Sequence, residues 1–334
     1  MQAGKVPPDI LQKVVLSRLG IRRPDVLVHA RLGEDSAVID FGPYACVVST
    51  DPITGAGANI GWLAVHVSCN DVATMGAEPI GVLSTLLLPE RTSEDDIRLI
   101  VADIHRAAVE LGIEVLGGHT EITPDIPHPI LSLTSIGRAD KPHLVTSGGA
   151  RPGDEVILTK SAALEGTAIL ASDFAVFLRG KIPPETLRSA QELIKRISVV
   201  TDGVVAARNG ATAMHDPTEG GVLGALYELA EASGVGLEIQ AERIPILPET
   251  RQVVAIFGVD PLRLISSGAM LITARSSAPI IEALSQQGIP ATVIGRVTAG
   301  DRVLVRDGQR VRIEPPERDE LWRVLERFTP GDRD

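Results

Sequence analysis

The sequence predicts an α/β fold in two domains, and three observations support this prediction. Short β-branched runs alternate with longer runs whose apolar residues recur at helical spacing, as in chains where strands and helices alternate. The 334 residues are 44% hydrophobic and 22% charged, which is ordinary for a globular protein and enough chain for two domains. A stretch rich in Gly and Pro at residues 141–153 indicates a linker. We therefore expect an N-terminal domain over residues 1–146 and a C-terminal α/β domain over residues 147–334.

The composition argues against several classes of function. A formal net charge of −11 disfavours a broad nucleic-acid or anionic-membrane surface, and 3% aromatic residues disfavour base-stacking platforms. Cys46 and Cys69 are the only cysteines, too few for a disulfide framework. No apolar run approaches the roughly 18 residues that a membrane-spanning helix needs, and the start of the chain does not resemble a signal peptide. We expect a soluble, cytoplasmic protein that binds neither nucleic acid nor membranes.

The first elements bring two carboxylates to the ends of neighbouring strands. Residues 8–19 show the spacing of a short helix, and strands are predicted within residues 27–39 and at residues 46–51. Antiparallel pairing of these two strands would bring Asp35 and Asp51 together. Two close carboxylates repel each other unless a cation lies between them, and Mg²⁺ prefers such oxygen ligands.

A third carboxylate lies in an apolar helix predicted at residues 60–75. Asn70 and Asp71 interrupt its apolar run, and burying them without partners would be costly. Either the pair faces solvent, or it points into a site where Asp71 joins the same cation. His66 and Cys69 have a spacing that zinc permits, but without two further ligands they are interpreted as packing residues.

The rest of the first half ends in a polar turn after a strand. A strand at residues 81–88, a helix starting at Ser93 and a strand at residues 113–116 precede the run Gly-Gly-His-Thr-Glu at residues 117–121. A Gly-Gly turn lets a ligand approach the backbone closely. His119 is therefore predicted to be a base, a substrate contact or a metal ligand, or else a hydrogen-bonded turn residue.

The second half contains a strand–turn–helix junction at residues 216–221. A strand at residues 211–215 runs into Asp216, and an apolar helix follows at residues 222–232. Free N–H groups at such a helix start can face an anion, and glycine lets a phosphate approach the main chain. The alternative is an ordinary N-cap at Thr218 with turn glycines. Further strands and helices alternate to a hairpin at residues 303–313, and a polar tail is expected after it.

Five motifs occur in the order and at the spacing that are typical of one family. They are Gly-Glu-Asp-Ser-Ala-Val at residues 33–38, Ser-Thr-Asp at 49–51, Asn-Asp-Val-Ala-Thr-Met-Gly-Ala at 70–77, Gly-Gly-His-Thr-Glu at 117–121 and Asp-Pro-Thr-Glu-Gly-Gly at 216–221. Each motif is weak alone, but five in order are a strong signal. Together they resemble the aminoimidazole ribonucleotide (AIR) synthase-related, or PurM-like, superfamily. The third and fifth motifs look most like those of the hydrogenase maturation protein HypE.

The resemblance implies a PurM-like two-domain fold whose N-terminal mixed sheet pairs into a barrel across a homodimer. ATP and Mg²⁺ are expected in the groove between the two copies. The implied metal ligands are Asp35, Asp51 and Asp71. The implied catalytic residues are Asp71, Asp216 and His119. The implied nucleotide- and phosphate-binding residues are Asn70, Gly117, Gly118, Thr120, Glu121, Thr218, Gly220 and Gly221. Lys5 is a candidate from its position alone: in a loose Pro-rich arm it either closes over a phosphate or is solvated.

The implied chemistry is ATP-dependent activation, in which a carbonyl oxygen or another nucleophile of a small-molecule or protein acceptor attacks the γ-phosphate. HypE proteins end in a cysteine that accepts a carbamoyl group, whereas this sequence has no cysteine after Cys69. Three functions stay open. They are a HypE-like ATP-dependent enzyme, an enzyme like thiamine-monophosphate kinase or AIR synthase, and a non-catalytic nucleotide-binding assembly factor.

Overall fold

Two mixed β-sheets, one from each half of the sequence, organise the protein. The computed structural model describes residues 6–54, 59–315 and 318–328, so the predicted phosphate contact Lys5 lies outside the described residues. The strands are β1 (Val26–Val28), β2 (Ala37–Phe41), β3 (Tyr44–Ile53), β4 (Glu78–Leu88), β5 (Glu114–Ile122), β6 (Ile130–Asp140), β7 (Glu155–Thr159), β8 (Ala211–His215), β9 (Gly236–Gln240), β10 (Leu271–Ala274), β11 (Ala291–Thr298), β12 (Arg302–Arg306) and β13 (Gln309–Arg312).

Helices cover one or both sides of these sheets and connect their strands. They are α1 (Pro8–Ile10), α2 (Ile60–Thr74), α3 (Glu94–Leu111), α4 (Leu164–Asp173), α5 (Ala175–Leu178), α6 (Pro184–Glu192), α7 (Val200–Arg208), α8 (Gly221–Ser233), α9 (Pro248–Phe257), α10 (Ala278–Gln286) and α11 (Glu320–Arg327). The short α1 continues as a π-helical turn over Leu11–Val15, four residues short of the predicted helix end. In the described part of the chain, no helix is both long enough and apolar enough to cross a membrane.

The first sheet has six strands in the order β1-β2-β3-β6-β4-β5. Its neighbours pair antiparallel except for β4 and β5, which are parallel. Ala37 on β2 lies opposite Val48 on β3, so the predicted antiparallel pairing of these strands is confirmed. Continuing that register beyond Ala37 brings Asp35 to the end of β3 where Asp51 lies.

The edge strand β5 corrects the predicted turn at Gly117 and Gly118. The strand does not stop at Leu116 but continues through both glycines to Ile122. The register of β5 against β4 shifts just before Gly117. A Cβ atom on Gly118 would lie 1.8 Å from the carbonyl oxygen of Ser84 on β4, so the close approach of the two strands requires glycine there. In this structure a neighbouring strand, rather than a ligand, approaches Gly118.

The second sheet has seven strands in the order β13-β12-β9-β11-β7-β10-β8. Helix α8 contributes buried apolar side chains, including Val222, Leu226 and Leu229, to the largest core cluster on this sheet. The predicted polar tail is wrong, because α11 follows the hairpin. Its Leu321 and Val324 are buried in the cluster that also contains Phe174 and Phe257.

Helix α2 joins the two halves of the chain, and every one of its residues is buried. It contacts β3 and β6 of the first sheet, α3 beside it and α7 of the second half. The side-chain amide of Asn70 donates to the carbonyl oxygen of Ile197 at 2.8 Å and accepts from the N–H of Val199 at 2.8 Å. Asn70 therefore faces neither solvent nor a ligand, because backbone groups from the second half occupy both ends of its amide.

Candidate functional site

Four carboxylates converge where the two sheets meet. Asp35 precedes β2, Asp51 lies on β3, Asp71 lies on α2, and Asp216 follows β8. The carboxyl group of Asp71 is buried, and Ser49 Oγ donates to its Oδ2 at 2.6 Å. Burial raises the pKa of Asp71 well above its usual value, and the charges of Asp51, Asp216 and Asp35 raise it further. The other three predicted acidic residues therefore lie close enough to Asp71 to oppose its ionisation.

His215 is a member of this site that the sequence interpretation missed. It is the last residue of β8, and its Nδ1 lies 2.8 Å from Asp35 Oδ2, while its Nε2 lies 3.0 Å from Glu228 Oε2 on α8. Burial acts to lower the pKa of His215, but the two carboxylates outweigh burial and raise that pKa well above its usual value. The available signal was its position, because it directly precedes Asp216 at the end of a buried strand.

The donor set fits a divalent cation. Within the described ranges, the group whose ligand atoms all lie within 4.8 Å of one another consists of Asp35, His215 and Asp216. The predicted ligand Asp71 lies near this group, because the charges of Asp35 and Asp216 raise its pKa, and the charge of the predicted ligand Asp51 raises it as well. Oxygen donors in this number are what Mg²⁺ takes, and a dication would relieve the mutual repulsion that hinders ionisation of Asp71.

The loop after Asp216 confirms the predicted strand–turn–helix junction but corrects the role of its glycines. The N–H of Gly220 donates to Asp319 Oδ2 at 2.7 Å, and the N–H of Gly221 donates to the carbonyl oxygen of Thr218 at 3.0 Å. The prediction that these two amides face a phosphate is therefore wrong for this conformation. An anion does occupy this helix start, but it is the carboxylate of Asp319, just before α11.

The polar residues of β5 lie away from the carboxylates. His119 Nε2 is 3.0 Å from Glu121 Oε2, both side chains are exposed, and Thr120 is exposed between them. Strands β6 and β4 separate β5 from β3, which places β5 roughly 14 Å from β3 at the usual spacing between strands. Within one chain, the structure does not bring His119 to Asp71 and Asp216.

A second pair of buried acidic groups, Glu165 and Asp319, lies near the loop at residues 216–221. Glu165, in the first turn of α4, accepts hydrogen bonds from the side chain and backbone of Ser267, while its Oε2 has no hydrogen-bond partner among the described residues. Burial raises the pKa of Glu165 to about 7 and the pKa of Asp319 to about 6, and Glu219 nearby adds to both shifts. Negative charge is therefore costly near this loop.

Glu165→Gln is expected to stabilise the protein in a pH-dependent way. The folded state holds the Glu165 proton up to about pH 7, whereas the unfolded state loses it near pH 4.5, so wild-type stability falls as the pH rises between these values. The variant has no such titration. Its free energy of unfolding should exceed that of wild type by at most about 3 kcal/mol above pH 7.5, and the difference should vanish below pH 4.5. Urea unfolding at pH 5 and pH 8 measures the difference. The exposed Glu185→Gln is the control, and a stability gain that is the same at both pH values would contradict the assignment.

Comparison with known proteins places these features in a family. Residues 33–139 match the family described as AIR synthase related protein, N-terminal domain, and residues 151–308 match its C-terminal domain. A putative hydrogenase expression/formation protein of Methanocaldococcus jannaschii is 29% identical, over 96% of this chain and 97% of the relative. The carbamoyl dehydratase HypE of Azotobacter vinelandii is 31% identical, over 81% of each chain.

Solved structures show the same fold. A HypE–HypF complex superposes with a TM-score of 0.74 and 22% identity, covering 92% of this chain and 99% of that chain. AaThiL complexed with AMPPCP and TMP also gives a TM-score of 0.74, with 21% identity, covering 96% of this chain and 100% of that one. The PurM-like two-domain fold predicted from the five motifs is thus confirmed.

Proposed function

The chain belongs to the AIR synthase-related family, and from this premise we propose that it is an ATP- and Mg²⁺-dependent enzyme that activates a carbonyl- or amide-type oxygen. The observation that carries the proposal is the convergence of Asp35, Asp51, Asp71 and Asp216 at one point between the two sheets. Asp71 and Asp216 are buried and the other two are partly buried, and four such carboxylates together are costly without cations. The carbamoyl dehydratase relatives and the fold shared with a nucleotide complex support the ATP chemistry.

In the proposed reaction, the acceptor oxygen attacks the γ-phosphorus of ATP, the bond to the β-phosphate oxygen breaks, and ADP leaves. Asp35, Asp51 and Asp71 would hold Mg²⁺. When bound, Mg²⁺ neutralises phosphate charge. Asp216 lies next to His215 and begins the loop at residues 216–221 in the second half of the chain, so we assign it to the acceptor side of the site. The hydroxyl of Thr218 remains a proposed phosphate contact, whereas Gly220 and Gly221 support the loop.

The acceptor in this proposal is a separate molecule. Cys69 is fully buried, and burial together with the charge of Asp71 raises the pKa of its thiol to about 12. Cys46 is partly buried on β3, and burial raises the pKa of its thiol as well. Thiolates are the nucleophilic form of cysteine, so neither side chain suits a carbamoyl-accepting role. An amide or carbamoyl group on a small molecule or a partner protein is the class of acceptor that we propose.

A second copy of the chain would complete the site. Every residue of β5 is exposed, including the apolar Val115, Leu116 and Ile122. A long exposed edge strand with apolar side chains is a natural pairing surface. We propose that the first sheets of two copies associate there as a homodimer. The His119 and Glu121 side chains of one copy would then face the groove in which the other copy holds its nucleotide.

The test is calorimetric binding of ATP with Mg²⁺ to wild type and to Asp35→Asn, followed by ADP release in the presence of carbamoyl and amide compounds and of phosphorylated thiamine and purine precursors. We expect Asp35→Asn to weaken Mg²⁺-dependent ATP binding by about 10-fold or more, because it removes a charged oxygen ligand. The partly exposed Asp25→Asn, which breaks the pair with Arg23, is the control. Unchanged affinity in Asp35→Asn would refute the metal assignment, and ATP binding without hydrolysis for any acceptor would refute the enzyme.

A further inference from the structure

The imidazole of His215 lies among the candidate metal ligands, rather than behind them as a group that only orients a ligand. Its Nδ1 is 2.8 Å from Asp35 Oδ2, and both residues belong with Asp216 to the group whose ligand atoms lie within 4.8 Å of one another. Two ligands at right angles, each about 2.2 Å from one ion, are about 3.1 Å apart. The observed spacing of these atoms therefore suits two ligands of a common ion as well as it suits a hydrogen bond.

Glu228 sets the orientation of the ring from the opposite side. Its Oε2 lies 3.0 Å from Nε2 of His215, so Nε2 carries a proton toward Glu228 and Nδ1 faces Asp35. A carboxylate that accepts the second ring N–H is the usual support of metal-binding histidines, since it fixes the tautomer and strengthens the donor nitrogen. Glu228 comes from α8 and His215 from β8, and the packing of this helix on the second sheet holds both in place.

We propose that His215, Asp35 and Asp216 form a mixed nitrogen–oxygen site for a first-row transition-metal dication such as Mn²⁺, with Glu228 orienting the imidazole. Imidazole is a ligand for transition metals, whereas Mg²⁺ is bound through oxygen. On binding, the Nδ1 proton passes to solvent and its lone pair goes to the ion. The site shares Asp35 with the proposed Mg²⁺ position, and it does not need ATP to form. The nitrogen ligand from His215 thus distinguishes this cation position from the neighbouring Mg²⁺ position, whose proposed ligands are all oxygen atoms.

A role of His215 as a charge partner, rather than as a ligand, predicts the opposite effect of its removal on metal affinity. If His215 serves only as an imidazolium that neutralises Asp35 and Glu228, it repels an incoming dication. Removing it would then strengthen metal binding. A nitrogen ligand predicts weaker binding on removal, so the sign of the change separates the two roles.

The experiment titrates the metal-free full chain with Mn²⁺ in the absence of nucleotide and follows free Mn²⁺ by electron paramagnetic resonance. We expect ¹⁴N modulation from a coordinated imidazole in the echo envelope of the wild-type complex. His215→Gln should abolish that modulation and weaken Mn²⁺ binding by about 10-fold or more, while Mg²⁺ binding, measured by competition, changes less. Glu228→Gln should keep the ¹⁴N modulation with reduced affinity, and the exposed His105→Gln should behave as wild type.

If a variant fails to fold, the Mn²⁺ titration and the ¹⁴N modulation of the wild-type protein are enough to test the proposal. Bound Mn²⁺ without ¹⁴N modulation, absence of Mn²⁺ binding, or tighter binding by His215→Gln would each overturn the proposal. A failure of ATP turnover leaves these spectra unaffected, so it bears on the proposed function alone.

Discussion

Replacing Asp71 by Asn is expected to remove Mg²⁺-dependent ATP turnover and at the same time to stabilise the metal-free protein. Asp71 is buried against Asp51, Asp216 and Asp35, and its pKa is raised by that burial and by those charges. A neutral amide of nearly the same shape avoids this repulsion, and its oxygen can still accept from Ser49 Oγ. We expect turnover to fall by about 100-fold or more because a charged ligand is lost. The melting temperature should rise by a few degrees.

The paired measurement is thermal unfolding without metal, alongside ATP turnover with Mg²⁺ and the best acceptor found. Asp103→Asn is the matched control, because Asp103 is a partly buried aspartate on α3 that pairs with Arg106 and is not one of the predicted site residues. Stability and activity should move in opposite directions only for Asp71→Asn. A variant that loses both would show that Asp71 supports the fold rather than the site.

Asp319→Ala is expected to destabilise the protein by about 3 kcal/mol, or roughly 6–12 °C in melting temperature. Asp319 accepts from the N–H of Gly220 at 2.7 Å and from the N–H of Leu321 at 2.8 Å, so one buried side chain caps both α8 and α11. Its removal leaves two buried donors without partners, and each such loss costs about 1 kcal/mol or more. The loop that carries Asp216 should also loosen.

Chemical unfolding at pH 7.5 tests this expectation, with Asp95→Ala as the control because that side chain is 92% exposed on α3. Asp319→Asn keeps one acceptor oxygen and should lose less stability than the alanine variant. If Asp319→Ala unfolds at the same denaturant concentration as wild type, Asp319 does not hold the two helix starts together.

Local patterns were enough to predict the elements that carry the carboxylates. The pairing of β2 with β3, the buried helix α2 and the junction of β8 with α8 all follow from periodicity and from polar residues at strand ends. Asp35 and Asp51 could be brought together from sequence because their strands are consecutive, and a short hairpin connects them.

Long-range partners were beyond such patterns. A phosphate was predicted at the start of α8, whereas the N–H of Gly220 donates to Asp319, which is 99 residues away in sequence. His215 meets Asp35 across 180 residues, and only the packing of the two sheets makes them neighbours. The periodicity of a sequence does not indicate which distant side chain accepts a hydrogen bond from a given backbone donor.

Edge strand β5 was mistaken for a turn for a different reason. A strand that faces solvent on both sides has no apolar alternation, so its two glycines and polar residues look like a loop. The requirement for Gly118 appears only when β4 is placed beside it, with the Ser84 carbonyl oxygen in the space of a Cβ atom.

The amide of Asn70 has a consequence for synthesis on the ribosome. Its two backbone partners follow it by 127 and 129 residues, so α2 cannot complete its hydrogen bonds when the first sheet has just been made. At about 5–20 residues per second, synthesis up to these partners takes roughly 6–26 seconds, and the amide of Asn70 lacks both hydrogen bonds during that time. During that interval one face of α2 lacks the helix that will cover it. The nascent first half is therefore a stage at which α2 is open to misassociation.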